Sequence, residues 1–135
     1  MKKLLTPIAF VLALIPVFLS FACTPSNPRV IVESDTYVVI NVVDSVEENT
    51  TLADYMISLN NDIFAIENGM VVSINGIENA LDWSSCWMLY TTDEENSNPA
   101  WSVEYNGKIY GSANLGAESL VVKTGESYIW YYQNL

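Results

Sequence analysis

The stretch SSCWMLY, residues 84–90, places a cysteine, a tryptophan, a methionine, a leucine and a tyrosine next to one another. Such a run favours a β-strand and is typical of a strand in a packed core. Successive side chains of a strand point to opposite faces of the sheet. Cys86, Met88 and Tyr90 would therefore share one face, and Trp87 and Leu89 the other.

Cys86 raises the alternative of a reactive thiol among aromatic rings. A nucleophilic cysteine needs a base or a positive neighbour to form the thiolate, and the whole chain contains no histidine. We therefore predict that Cys86 is a structural and unreactive thiol.

Upstream of this strand, TLADYMISLNN, residues 51–61, predicts one short helix. Thr51 can cap its first turn, and Asp54 follows three residues later, near the positive end of the helix dipole. Apolar side chains recur at three- and four-residue steps and give the helix one apolar face. Before the helix, TYVVINVV, residues 36–43, predicts a strand that opens the domain.

The rest of the chain predicts strands joined by tight turns. Asn-Gly pairs at 75–76 and 106–107 are strong hairpin signals, and ESLVVKTGESYIWYY, residues 118–132, predicts two strands around Thr124 and Gly125. One helix followed by many strands predicts an α+β domain, with the helix packed on a mostly antiparallel or mixed sheet. One short helix can cover only one sheet face, so we expect some aromatic side chains to be exposed to solvent.

The first 22 residues have the layout of a secretory signal. MKK supplies positive charge, residues 4–22 are almost entirely apolar, and small residues precede Cys23. LSFAC, residues 19–23, resembles a bacterial lipoprotein box, which implies a lipid anchor on Cys23 and a cell-membrane location. Ordinary signal cleavage and secretion is the alternative, and a retained membrane helix is another. We divide the chain into a signal peptide (1–22), a tether (23–35) and a folded domain (36–135).

Composition excludes several classes of function. Without residues 1–22, the chain has three basic and 16 acidic side chains, which gives a net charge of −13. Such a charge repels nucleic acids. The absence of histidine removes the commonest general base and metal ligand, and two cysteines do not form a four-ligand zinc site. TTDEENSNP, residues 91–99, lacks the glycine and distal glutamate of a calcium loop and is predicted to be a solvated turn. No catalytic residue, metal site or cofactor is predicted.

The order of these motifs resembles the C-terminal domain family of transcobalamin and its bacterial relatives. The matching segments are TLADYM, GMVVSINGI, CWMLY, NGKIYG and KTGESYIWYY, and the resemblance spans residues 36–132. Residues 93–105 depart from the family pattern. The resemblance implies a small β-grasp-like α+β domain that covers one side of a bound corrinoid such as cobalamin, while a partner protein completes the site.

Carried over to this chain, the resemblance suggests Trp87, Leu89 and Tyr110 as ligand-binding residues. Packing in the core is the alternative role for Trp87, and hairpin stabilisation is the alternative for Tyr110. Two functions remain open. The first is a lipid-anchored, non-enzymatic module that captures a small ligand, and the second is an adhesive surface domain that contacts proteins or glycans. A concavity beside Trp87 would favour the first, and a flat face would favour the second.

Overall fold

The computed structural model describes residues 28–135, which form two antiparallel sheets and one short helix. The strands are β1 (Val30–Ser34), β2 (Tyr37–Asn41), β3 (Phe64–Glu67), β4 (Met70–Ile74), β5 (Ile77–Glu78), β6 (Ser85–Thr91), β7 (Ser97–Tyr105), β8 (Lys108–Ala113) and β9 (Ser127–Asn134). The helix, α1 (Leu52–Ser58), lies between β2 and β3. Six strands form the large sheet in the order β1-β2-β9-β6-β8-β7, and β3-β4-β5 form the small sheet.

The stretch SSCWMLY forms most of β6, which is an inner strand of the large sheet. Its whole length pairs with β9, from Ser85 opposite Asn134 to Thr91 opposite Tyr128, and its end also pairs with β8. Trp87 and Leu89 lie in one apolar cluster, whereas Met88 and Tyr90 lie in a second cluster. The predicted core strand and the predicted alternation of these four side chains are confirmed.

The helix and the hairpin turns are also confirmed. The hydroxyl of Thr51 accepts a hydrogen bond from the backbone N–H of Asp54 at 3.2 Å, which caps α1. Asn75 and Asn106 both have positive φ angles, as do the glycines that follow them, and they turn the β4–β5 and β7–β8 hairpins. Consecutive left-handed residues suit two-residue hairpin turns, which explains why Asn-Gly occupies them.

The predicted α+β, β-grasp-like fold is wrong. The only helix between residues 28 and 135 that is longer than a single 3₁₀ turn has seven residues, and the strands divide between two antiparallel sheets. The molecule is a small β-rich domain. Local patterns identified many of the strands but did not show that β3, β4 and β5 form a second sheet, separate from the large one.

One predicted strand, in residues 118–123, is instead part of a long loop between β8 and β9. Its apolar side chains Leu120 and Val122 are buried against the core, which is why the segment has the pattern of a strand. Its backbone bonds to the start of the helix instead of to a sheet: the N–H of Leu52 donates to the carbonyl of Leu120 at 2.8 Å, and the N–H of Ala53 donates to that of Ala117 at 2.9 Å. The loop therefore pins the N-terminus of α1.

The large sheet buries side chains on both faces, contrary to the expectation of one covered face. On the face opposite the helix, Val39, Tyr90, Tyr110 and Ile129 are all buried. The rings of Tyr37 in β2 and Tyr105 in β7 lie 5.8 Å apart, although a flat sheet would separate strands four places apart by about 19 Å. Tyr105 also donates a hydrogen bond to Glu33 in β1. The sheet therefore curls until its two edges meet, and the curl buries the second face.

The first strand begins at Val30 and pairs with β2. The sheet therefore starts within the segment interpreted as a tether. The predicted signal and Cys23 lie outside the described residues. Between residues 28 and 135, no helix has the length and apolar character needed to cross a membrane.

Candidate functional site

A cleft of about 260 Å³ opens where the small sheet, strands β6 and β9, and the β8–β9 loop meet. We call it the tryptophan cleft, because Trp83, Trp87 and Trp130 all line it. Leu89, Val71 and Ala117 complete its buried floor, and Met70 and Glu118 are exposed at its rim. The cleft lies beside the side chain that the sequence singled out, Trp87.

Trp87 is held rigidly at the junction of the two sheets. Its ring N–H donates to the carbonyl of Ile77 at 2.8 Å, and its backbone N–H donates to the Asn79 side-chain oxygen at 2.9 Å. The Asn79 amide in turn donates to the carbonyl of Val71 at 3.0 Å. The ring also packs edge-on against Tyr132, with centroids 5.3 Å apart. Trp87 therefore serves as a structural anchor, and it also forms part of the cleft wall.

Trp83 has a different character, because it is 55% exposed and its backbone is left-handed, with φ of +60°. A positive φ is unfavourable for a bulky residue. The turn around it enforces this conformation: the N–H of Trp83 donates to the carbonyl of Ala80, and Ser84 donates two hydrogen bonds to the Asp82 carboxylate. The hydrogen bond from the Ser84 hydroxyl is the main cause that lowers the pKa of Asp82. Strain of this kind concentrates at functional sites.

Trp130 contributes a buried indole to the cleft. The side chain is 6% exposed, and its ring N–H finds no acceptor among residues 28–135. Buried indole N–H groups are usually hydrogen-bonded, and leaving one unpaired costs about 1–3 kcal/mol. The indole N–H of Trp130 is therefore a buried donor without an acceptor among the described residues.

Among residues 28–135, Glu118 supplies the only acidic side chain of the cleft lining. Within the part of the chain that the structure describes, its carboxylate forms no ion pair, and no hydrogen bond to it is found. Two glycines make room for the side chain. A Cβ atom at Gly69 would lie 2.7 Å from the Glu118 Cβ, and one at Gly116 would lie 2.6 Å from Glu118 Oε2.

The three ligand-binding residues suggested by the sequence do not come together. Trp87 and Leu89 both line the cleft, but Tyr110 is buried on the opposite face of the sheet. Tyr110 faces Val103 across the β7–β8 hairpin, and its ring contacts Tyr105 edge-on, with centroids 6.3 Å apart. In the described structure its contacts are those of a core residue that stabilises the hairpin and the curl of the sheet.

Sequence reasoning missed Trp83, Trp130, Met70 and Glu118. Trp130 could have been found from the alternation in β9, because it shares a face with Tyr128 and Tyr132, but only with the knowledge that β9 pairs with β6. In the structure Leu89 lies opposite Trp130, which brings the two into the same cleft. Trp83 and Glu118 sit in loops, where no periodic signal identifies them.

The acidic loop after β6 exposes Glu94 and Glu95, as predicted for a solvated turn, but it buries Asp93. Asp93 is 2% exposed and accepts hydrogen bonds from Lys123 Nζ at 2.9 Å, Asn96 Nδ2 at 2.8 Å and the backbone N–H of Glu95 at 3.2 Å. Burial is the largest single influence on Asp93 and opposes ionisation, but the bonds from Asn96 and Lys123 together hold its pKa below its usual value. The loop is thus a structural ion-pair cluster.

A larger groove of about 680 Å³ lies between residues 44–50 and the helix. Its lining is rich in carboxylates, and its one basic residue, Arg29, is paired with Asp44 at 2.6 Å. It lacks a tryptophan and is mostly polar, so the tryptophan cleft is the better candidate for ligand binding. Across residues 28–135, no group of three or more His, Cys, Asp or Glu side chains is arranged to hold a metal ion.

Known proteins provide no further guide. Comparison with protein-family models, with curated proteins and with solved structures finds no match for the chain. The candidate site therefore rests on the geometry of the cleft alone.

Proposed function

We propose that this chain is an exported, non-enzymatic binding module, lipid-anchored at Cys23, whose ligand site is the tryptophan cleft. The observation that carries the proposal is Trp83, a half-exposed indole held over an apolar concavity in an unfavourable backbone conformation. Strained backbone conformations cluster at binding and active sites, which supports a functional role for Trp83. The concavity beside Trp87 favours ligand capture over a purely adhesive surface.

The resemblance to transcobalamin C-terminal domains makes a corrinoid the first ligand to test. A cleft of about 260 Å³ lies at the small end of ligand sites, which usually span about 300–1,000 Å³. It could contact only part of a wide, flat macrocycle. Corrinoid capture would therefore be weak in the isolated protein and would need a partner protein to cover the other side.

Calorimetric titration of the purified protein with cobalamin tests this proposal. We expect weak binding that Trp83→Ala abolishes. Trp101→Ala is the matched control, because Trp101 is also an exposed tryptophan but lies in β7, outside the cleft. The absence of heat up to millimolar cobalamin, with and without the proteins encoded by neighbouring genes, would rule out corrinoid capture.

One observation favours the adhesive alternative. Trp101 and Ile109 are 70% and 66% exposed on the β7–β8 hairpin, away from the cleft. Exposed apolar side chains of this size are typical of contact surfaces. If the protein adheres to host or cell-wall material, Trp101→Ala should reduce attachment, whereas Trp83→Ala should leave attachment unchanged.

A further inference from the structure

We propose that the tryptophan cleft selects a small organic cation of the alkylammonium class. This inference rests on the proposed function, in which the cleft is the ligand site, and it adds the chemistry of the ligand. It follows from three features of the cleft as residues 28–135 form it: the tryptophans in its wall, a carboxylate without an ion-pair partner, and the absence of a basic side chain in the lining.

The aromatic walls suit a cation. The face of an indole ring carries negative electrostatic potential and attracts ammonium groups more strongly than other aromatic side chains do. Trp83, Trp87 and Trp130 line the same small cavity, and no pair of them is in ring-to-ring contact among the aromatic pairs of residues 28–135. Trp83 is the most accessible of the three rings, at 55% exposed, and the face of an accessible indole is a surface on which quaternary ammonium groups bind.

The carboxylate of Glu118 supplies the opposite charge at the mouth of the cleft. The residue is exposed, and no protein cation from residues 28–135 lies within ion-pair distance of it. Gly69 and Gly116 leave the space that its side chain occupies, since a Cβ at either position would clash with it. The Glu118 side chain therefore lines the same cleft as the three tryptophans, and its carboxylate is available to a bound cation.

The basic residues of the described chain lie elsewhere. Arg29 lines the groove beside the helix, and Lys108 and Lys123 line a depression next to the acidic loop. Arg29 and Lys123 are in addition bound to carboxylates. The chain as a whole carries a net charge of −11, which draws cations toward its surface and disfavours anions. The volume of about 260 Å³ limits the occupant to a compact ligand.

The test compares choline with its uncharged isostere, 3,3-dimethyl-1-butanol. The two molecules have nearly the same shape and differ in the quaternary nitrogen, so the comparison isolates charge. Binding is followed by the shifts of the tryptophan indole resonances of the purified full-length protein. We expect choline to bind in the millimolar range and about tenfold more tightly than the isostere. Added salt should weaken choline binding and leave the isostere unaffected.

The variant Glu118→Gln should lower the affinity for choline about tenfold, because it removes the charge and keeps the shape. Glu104→Gln is the matched control, since Glu104 is an exposed carboxylate in β7 that does not line the cleft. It changes the net charge equally and should leave choline binding unchanged.

The outcomes separate this inference from the proposed function. Equal binding of choline and the isostere, lost in Trp83→Ala, would overturn the cation selectivity and leave the cleft as the ligand site. If cobalamin binds, choline does not, and Trp83→Ala abolishes cobalamin binding, the cation selectivity is again overturned and the cleft is still the ligand site. No binding of choline, the isostere or cobalamin would overturn both. Equal losses in Glu118→Gln and Glu104→Gln would assign the effect to overall charge and contradict the role of Glu118.

Discussion

Substituting Trp83 by glycine and by alanine tests whether the backbone strain at this position is real. Both changes remove the indole, so they lose the same contacts with the cleft. They differ in what they do at a φ of +60°. Alanine still pays about 1–2 kcal/mol for the left-handed conformation, whereas glycine adopts it freely. Against this, glycine lowers the free energy of unfolding by about 0.5–1 kcal/mol, because it gives the unfolded chain more conformational entropy.

The balance predicts that Trp83→Gly is more stable than Trp83→Ala by about 0.5–1 kcal/mol, the reverse of the usual order. For a domain of this size, that difference corresponds to roughly 2–5 °C in melting temperature. Thermal unfolding followed by circular dichroism measures it, with urea unfolding as a second measure of the free energy. Ligand binding should be lost equally in both variants.

Ile57 provides the control for this comparison. It is an exposed residue within α1, where the backbone is helical. There Ile57→Ala should be more stable than Ile57→Gly by about 1 kcal/mol, the ordinary helix preference. If Trp83→Ala is also more stable than Trp83→Gly, the backbone at position 83 is not strained. The main support for a functional role of Trp83 is then removed.

Three further predictions concern residues outside the cleft. Asp93→Ala should destabilise the protein by about 2 kcal/mol at pH 7, because a buried charge-assisted network is lost. Since the pKa of Asp93 is lowered below 3.8 in the folded state, its contribution is complete above that value, so the difference between wild type and Asp93→Ala in chemical unfolding should shrink as the pH falls through the lowered pKa. Cys86 is a buried free thiol, so Cys86→Ala should cost about 1 kcal/mol without affecting binding, and rapid labelling of the native protein by a thiol reagent would contradict its structural role. Cys23→Ser should abolish fatty-acid labelling and release the protein from the membrane, whereas the absence of labelled fatty acid in the wild type would replace the lipoprotein hypothesis with simple secretion.

Local sequence patterns identified the elements that depend on near neighbours. Alternation along residues 86–90 assigned Trp87 and Leu89 to one face because a strand has a period of two. Thr51 and the Asn-Gly pairs were recognised because caps and tight turns need particular side chains at fixed positions. These features are set by residues a few positions apart, so the sequence alone was sufficient.

The fold class and most of the site depend on pairings between distant residues. The last strand, β9, inserts between β2 and β6, and no local pattern indicates that Leu89 lies opposite Trp130. The family resemblance alone suggested Tyr110 as a site residue, and no local pattern indicates that this side chain lies inside a curled sheet, away from Trp87 and Leu89. Buried loop residues such as Leu120 have the sequence pattern of a strand, because buried positions in loops and in strands are filled by the same apolar side chains.

The indole resonances of the protein test most directly whether the tryptophan cleft is the ligand site. The chain contains four tryptophans, of which three line the cleft and the fourth, Trp101, lies outside it. Choline and cobalamin are added in separate titrations to ¹⁵N-labelled protein, and the four ring N–H signals are followed. We expect at least one ligand to shift the signal of Trp83, together with those of Trp87 and Trp130, while Trp101 stays unchanged. A shift of Trp101 alone, or no shift with either ligand up to millimolar concentration, would contradict the assignment of the cleft as the binding site.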